Sequence, residues 1–191
     1  MTLPVSANLP LASPIDAGEP VGTTDLVELA DLTGKWTLLH IQGPAGDWLN
    51  HIFGEIPAGP GAVVTKDGTI AACLRSDLFL VLTAPDRAAN LLQSVRVGLT
   101  ATDITHGRSL MQLSGPLSMQ VLPKLCGLDF RDLAFPDRHA APTSYAKVQS
   151  VIVRNDIEVD GPPAYYLIVD RSLSAYVWGV TVDSMQQFLK A

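Results

Sequence analysis

The chain has 191 residues, 13 Lys and Arg against 19 Asp and Glu, a formal net charge of −6 and 47% hydrophobic residues. That composition fits one large or two small globular domains with a sizeable core, and it excludes a disordered chain. An acidic chain without a basic stripe is unsuited to nucleic acid, and no apolar run approaches the ~20 residues that span a bilayer.

Residues 1–24 contain Pro4, Pro10, Pro14 and Pro20 and almost no charge. Prolines at that density forbid helix and interrupt sheet ladders, so this stretch reads as a proline-rich arm. An apolar arm needs a surface to lie on, either its own domain or a partner subunit. No basic region precedes Leu3, so the N-terminus is not read as a signal peptide.

Residues 25–191 read as a single domain of two halves, about 25–96 and 97–191. In the first, Trp36 to Gln42 reads as a strand, and Gly43-Pro44 turns the chain with Pro44 at the first helical position. Ala45, Trp48, Leu49, Ile52 and Phe53 then fall on one helix face, which Gly54 stops. Ala62 to Thr65 and Thr69 to Arg75 flank Asp67-Gly68, a pair suited to a two-residue hairpin turn. Leu78 to Thr83 is a further strand. Ala88, Leu91, Leu92 and Val95 repeat helical spacing over about 85–95.

In the second half, Asp103 to Arg108 is a polar turn and Ser109 to Leu113 a strand. Gly115-Pro116 is followed by Leu117, Val121 and Leu125 at steps of four, with Pro123 expected to kink that helix or start a fresh turn. Residues 131–145, with Pro136, His139 and Pro142, read as irregular. Lys147 to Arg154 and Ala164 to Val169 are strands around a polar loop, Asn155 to Pro163. A last helix starts near Ser172 as N-cap and presents Ala175, Trp178, Val182, Met185 and Leu189, against the β-branched run Val180-Thr181-Val182. Cys73 and Cys126 sit in apolar segments and read as reduced core thiols of a cytoplasmic protein, without zinc spacing.

Each half therefore reads strand, Gly-Pro, helix, strand, strand, helix. The two Gly-Pro pairs lie 72 positions apart, while Phe79-Leu80-Val81-Leu82 and Tyr166-Leu167-Ile168-Val169 lie 87 apart, which places an insertion around 131–145. Such an internal duplication predicts an α+β fold with a pseudo-symmetric, mostly antiparallel sheet structure covered by helices.

Asp31-Leu32-Thr33-Gly34-Lys35, followed by a strand, Gly43-Pro44 and a helix, resembles the aminomethyltransferase (T-protein) fold of the glycine cleavage system. The second copy, Asp103-Ile104-Thr105-His106-Gly107-Arg108 through Ser114-Gly115-Pro116 and on to Leu125-Cys126-Gly127-Leu128-Asp129, is similar to another branch of that superfamily. That branch is the gamma subunit of heterotetrameric sarcosine oxidase. Ala134-Phe135-Pro136, Ala140-Ala141-Pro142-Thr143 and the stretch Tyr165 to Phe188 are similar to it too, so the resemblance covers roughly residues 25–190. It implies the aminomethyltransferase folate-binding-domain fold, and a place in a flavin-containing amine oxidase complex that demethylates secondary amines such as sarcosine. The flavins, the oxidation site and the folate site would then belong to the other subunits.

The departures carry as much weight. Where the resemblance implies an Ile-Asp-Asp strand acting on folate, this chain reads Ile70-Ala71-Ala72-Cys73. Alanine transfers no proton, and general acid–base catalysis needs a titratable group in reach, so no catalytic residues are expected. The Gly-Tyr-Thr-Gly-Glu stretch that holds the pterin has no good counterpart; Ile157-Glu158-Val159-Asp160-Gly161 lies there with the wrong spacing.

Among individual residues, His106 could donate to a ligand carboxylate, but a His beside Asp103 and Thr105 usually orders a turn. Arg108 could bind an anion or a neighbouring subunit, against the plainer reading of a solvated strand start. Glu158 and Asp160 could touch a folate or a cation, against that of a solvated loop. No nucleophile–base pair, phosphate loop or Gly-x-Gly-x-x-Gly is present. The expectation is a non-catalytic gamma-type subunit with an assembly role, binding no cofactor or metal itself. The alternative is a stand-alone tetrahydrofolate-binding protein, with Glu158 and His106 as cofactor-binding residues and a pocket between the halves lined by aromatic side chains.

Overall fold

The computed structural model describes residues 12–15, 17–23, 25–158 and 161–189. The arm contributes β1 (Val21–Thr23), and the first half β2 (Val27–Asp31), β3 (Thr37–Gln42), α1 (Gly46–Phe53), β4 (Val63–Lys66), β5 (Thr69–Arg75), β6 (Leu78–Thr83) and α2 (Pro85–Ser94). The second contributes β7 (Thr100–Asp103), β8 (Arg108–Ser114), α3 (Ser118–Val121), β9 (His139–Tyr145), β10 (Val148–Arg154), β11 (Ala164–Asp170) and α4 (Ser174–Leu189). Among the described residues no helix is long and apolar enough to cross a membrane.

Two antiparallel sheets result, in the orders β4-β5-β6-β3-β7 and β9-β10-β11-β8-β2-β1. These are the same arrangement read twice, with one exchange. β2 belongs to the first half yet pairs with β8, Leu29 opposite Leu113. β7 opens the second half yet pairs with β3, Ile41 opposite Ala101. Each half thus lends a short strand to the other's sheet.

Strand alternation builds three apolar layers. Leu39 and Ile41 of β3, Ala71 and Cys73 of β5, and Phe79 and Val81 of β6 face α1 and α2, meeting Trp48, Leu49 and Leu91. Met111 and Leu113 of β8, and Tyr165, Leu167 and Val169 of β11, face α3 and α4. The alternate positions, Leu38, Ala72, Leu80, Leu82, Leu110, Val153, Tyr166 and Ile168, form a layer between the two sheets.

The exchange explains the two Gly-Pro corners. Gly115 has φ +103°, and a Cβ there would lie 2.6 Å from the Leu26 carbonyl oxygen, where the chain enters β2. Gly43 has φ +119°, and a Cβ there would lie 2.6 Å from the Gly98 carbonyl oxygen, just before β7. Both glycines are needed because the strand lent by the other half passes against their backbone.

The hairpin turns also correspond. Asp67 and Gly68 both have positive φ, 49° and 75°. The equivalent turn, Ala146-Lys147, has φ of 52° and 64° without a glycine. Tyr145 and Val148 close it as a two-residue loop, a conformation that L side chains adopt at a cost of ~1–2 kcal/mol per residue. Lys147→Gly is therefore expected to raise stability by about 1 kcal/mol in urea titration; an unchanged or lower midpoint would contradict that.

Several elements depart from the sequence reading. Residues 139–145 form β9, not an irregular segment: Pro142 lies on a strand at the sheet edge, where its missing N–H costs no ladder bond. α1 begins at Gly46, two residues after Pro44. The helix after Pro116 is only α3, shorter than its spacing suggested, while Pro123 starts a fresh 3₁₀ turn, Leu122–Lys124, as expected. Leu92 is exposed. Ser172 lies in a 3₁₀ turn, Arg171–Leu173, that precedes the last helix and is capped by Asp170, whose carboxylate accepts from Ser172 N–H at 2.9 Å. The buried face of α4 is Ser174, Val177, Thr181 and Met185, turned away from Ala175. Thr181 is tolerated there because it donates to the Val177 carbonyl at 2.7 Å and pairs with the Tyr145 hydroxyl at 3.1 Å. In the arm, Ile15 is buried in this chain's own core, β1 pairs β2, and Arg171 donates to the Ala12 carbonyl at 2.6 Å. Pro4 and Pro10 lie outside the described residues. Cys73 and Cys126 are buried free thiols.

Candidate functional site

The layer between the sheets is closed at its centre by Leu38, Leu80, Leu110 and Ile168, each at most 3% exposed. Ala71 and Ala72, at the positions where carboxylates were sought, are both 0% exposed. Ala71 packs toward α1 and Ala72 into the inter-sheet layer, between Val63 and Leu80 of the neighbouring strands. Methyl groups in that position can neither take a proton nor hold a cationic amine. Among the described residues no group of three or more His, Cys, Asp or Glu is placed to hold a metal ion.

A cleft opens at each end of this layer. The first, of about 740 Å³, lies where β5 and β11 end and where β6, β8 and β10 begin. Its floor includes Leu74, Leu80, Ile104, Val151 and Ile168, and its cationic or basic members are His40, Arg75, Arg108 and Lys147. Burial, and then the nearby Arg108 charge, lower the pKa of His40 below the usual imidazole value. The second cleft, of about 420 Å³, lies at the opposite strand ends and is lined by Trp36, Tyr166, Asp67, Asp137, Asp156 and Glu158 among others. Trp36 and Tyr166 meet edge-to-face, with centroids 6.0 Å apart.

The sequence-derived residues fall apart in space. Glu158 lines the second cleft and is exposed. His106 sits in the 3₁₀ turn Thr105–Gly107, is exposed, and lines neither cleft. Within that turn the work is done by its neighbours: Asp103 accepts from Thr105 N–H at 2.9 Å, and the Thr105 hydroxyl accepts from Leu38 N–H at 2.9 Å. Asp160 lies outside the described residues.

Behind the second cleft is a cluster the sequence reading missed. Arg154, the buried last residue of β10, donates to the Phe135 carbonyl at 2.8 Å, to Asp132 at 2.6 Å and to both oxygens of Asp156, at 2.9 to 3.3 Å. Asp156 also accepts from Ala164 N–H at 3.0 Å, and its own N–H donates to Asp137 at 2.8 Å. Burial opposes the Arg154 charge, but the hydrogen bonds to Asp156 and Asp132 outweigh it and raise its pKa. The guanidinium lies 5.7 Å from the Tyr165 ring centroid. The signal in the sequence was an Arg closing an apolar strand with an Asp two residues on.

In sequence, the chain is 27% identical over 186 residues to sarcosine oxidase subunit gamma of Corynebacterium sp. (strain P-1), covering 93% of this chain and 88% of that subunit. It is 27% identical over 142 residues to the gamma subunit from strain U-96, covering 71% of this chain and 66% of that subunit. In structure, it superposes on a chain of heterotetrameric sarcosine oxidase from Corynebacterium sp. U-96 in complex with pyrrole 2-carboxylate, with TM-score 0.74, 23% identity and 90% coverage of both chains. The glycine cleavage system aminomethyltransferase T from Bartonella henselae matches with TM-score 0.62 and 15% identity, over 83% of this chain and 46% of that enzyme. No family model matches the chain. The similarity to sarcosine oxidase gamma subunits thus runs nearly end to end, and the fold is shared with part of the aminomethyltransferase.

Proposed function

We propose, starting from that end-to-end similarity to sarcosine oxidase gamma subunits, that this chain is a non-catalytic, cytoplasmic subunit of a flavin-containing complex that demethylates amines. Its role there is assembly. The scaffold would have arisen by internal duplication of a one-carbon-metabolism fold, and the oxidation chemistry sits in the partner subunits. The observation that carries this reading is that Ala71, buried toward α1, and Ala72, buried in the inter-sheet layer, stand where carboxylates were expected.

A second observation supports contact with partners. Leu133 and Val97 are fully exposed and Ile157 is largely so. Leu133 and Ile157 follow Asp132 and Asp156, which Arg154 holds in place. Exposed apolar side chains beside an anchored loop suit a subunit interface. Co-expressed with the other subunits of a sarcosine-oxidase-type complex, the chain is expected to co-elute with them in size-exclusion chromatography. The double substitution Leu133→Asp/Ile157→Asp is expected to weaken that association at least ~10-fold without changing the far-UV spectrum. Independent migration of the unmodified chain would overturn the reading.

The second reading is tetrahydrofolate binding in the smaller cleft, favoured by the Trp36–Tyr166 pair beside Glu158. A pterin ring would stack against the aromatic side chains and donate its N–H groups to the Glu158 carboxylate, with His106 too remote from that cleft to share in it. Calorimetric titration of the isolated chain with tetrahydrofolate tests this. Saturable heat that Glu158→Gln abolishes would favour it, and absence of heat at ~1 mM ligand would remove it.

A further inference from the structure

The larger cleft is unused by either reading, and its chemistry is distinctive for an acidic chain. The residues lining it include His40, Arg75, Arg108 and Lys147 and no Asp or Glu. These four arrive from three different strands and a turn: β3, β5, β8 and the β9–β10 hairpin. The carboxylates that could neutralise them are only loosely engaged. Arg108 stands 3.9 Å from Asp170, whose other oxygen is already taken by Ser172 N–H and hydroxyl. Arg75 pairs with Asp77 at 3.3 Å in an exposed contact. Such pairs hold their partners weakly and yield readily to a better acceptor.

Two more features separate this cleft from a solvated basic patch. His40 occupies an inward position of β3 between Leu38 and the strand end, where alternation with Leu38 would place an aliphatic residue. Lys147 is carried on a hairpin turn held at positive φ without glycine, a costly way to present a side chain at the rim. Strain at the edge of a cavity, apolar walls and converging cations are together the make-up of a binding site for a small amphiphilic anion.

We propose that the cleft between the sheets binds a small organic anion, a carboxylate or phosphate carried on a flat apolar body. The anionic group sits against Arg108 and His40, with Arg75 and Lys147 at the rim. The apolar body lies on Leu74, Leu80, Ile104, Val151 and Ile168. The cleft volume, about 740 Å³, matches an occupant of that size rather than a folded partner. The site stands whether or not the chain assembles with oxidase subunits.

The full chain is titrated calorimetrically with 1-naphthoate and, separately, with phenyl phosphate. The two arms distinguish a carboxylate from a phosphate ligand. One-to-one binding is expected in at least one arm, and Arg108→Gln is expected to weaken it about 10- to 100-fold, the loss of one charge-assisted hydrogen bond. Lys147→Gly should also weaken it, and because that substitution relaxes the turn, unfolding cannot explain the loss. The protein has four histidines, and the imidazole NMR signals of His40 should move on saturation while those of His51, His106 and His139 stay in place. No heat at ~1 mM of either probe, binding indifferent to Arg108→Gln, or movement at another histidine with His40 unmoved would overturn the proposal.

Discussion

Gly115→Ala is expected to lower stability by about 3 kcal/mol or more, summing a positive-φ cost of ~1–3 kcal/mol with an overpacking cost of ~1–3 kcal/mol. The new methyl would lie 2.6 Å from the Leu26 oxygen and 3.0 Å from the Val27 Cα. Both are backbone atoms at the entry to the strand lent to the second sheet, so no side-chain rotation relieves them. The chain can respond only by pushing β2 off β8, which unpairs Leu29 from Leu113 and opens the core beneath. Against a total of ~5–15 kcal/mol such a loss is large, and the melting temperature should fall by ~6–12 °C. Gly43→Ala should behave alike at the other exchange point, while Gly68→Ala, with nothing within 4 Å of its Cβ, should carry the conformational cost alone. Urea midpoints of the three variants decide it; equal losses for all three would mean that the strand crossing is not what fixes the two corners.

Arg154→Met is expected to cost about 3–5 kcal/mol, because removing one partner of a buried pair strands the other. The asymmetry between its two carboxylates identifies the stranded group. Asp132 is 74% exposed and returns to water, whereas Asp156 is 11% exposed and also anchors Ala164 N–H at the start of β11. Arg154→Met/Asp156→Asn should therefore recover part of the loss, whereas Arg154→Met/Asp132→Asn should not. Arg154→Lys cannot reproduce the fork that reaches Asp156, Asp132 and Phe135 together, and should fall between wild type and methionine. Chemical denaturation of the four variants is the measurement. Equal recovery from both double substitutions would contradict the assignment of Asp156 as the dependent charge.

What was legible in the sequence is what depends on local pattern. Leu38 to Ile41 and Leu78 to Thr83 announce strands buried on both faces, and Asp67-Gly68 names its own turn. The missed elements share a physical cause: their identity is decided by partners far along the chain. Thr100–Asp103 is short and polar, and becomes β7 only because β3 offers it an edge. Pro142 argues against a strand until its place at the rim of the sheet is known. The buried face of the last helix was not legible, because Thr181 goes inside only where Tyr145 supplies its hydrogen bond.

The site was less legible still. His40, Arg75, Arg108 and Lys147 are scattered over more than half the chain and meet only when the two sheets stack. Of these, Arg108 alone drew notice in the sequence, as an alternative to a solvated strand start. Glu158 was chosen for its loop and does reach a cleft, while His106 was chosen for its company and faces solvent. Ile70-Ala71-Ala72-Cys73 is read from the sequence directly, and the structure adds that Ala71 and Ala72 are fully buried.

The proposed assembly role is tested most directly by leaving the chain out. The oxidase subunits are expressed with and without it, and the particle mass is read by light scattering alongside the rate of amine oxidation. The account predicts a complex containing the chain in stoichiometric amount, and, in its absence, a smaller or dissociating particle with reduced oxidation. Full assembly and an undiminished rate without the chain would contradict it.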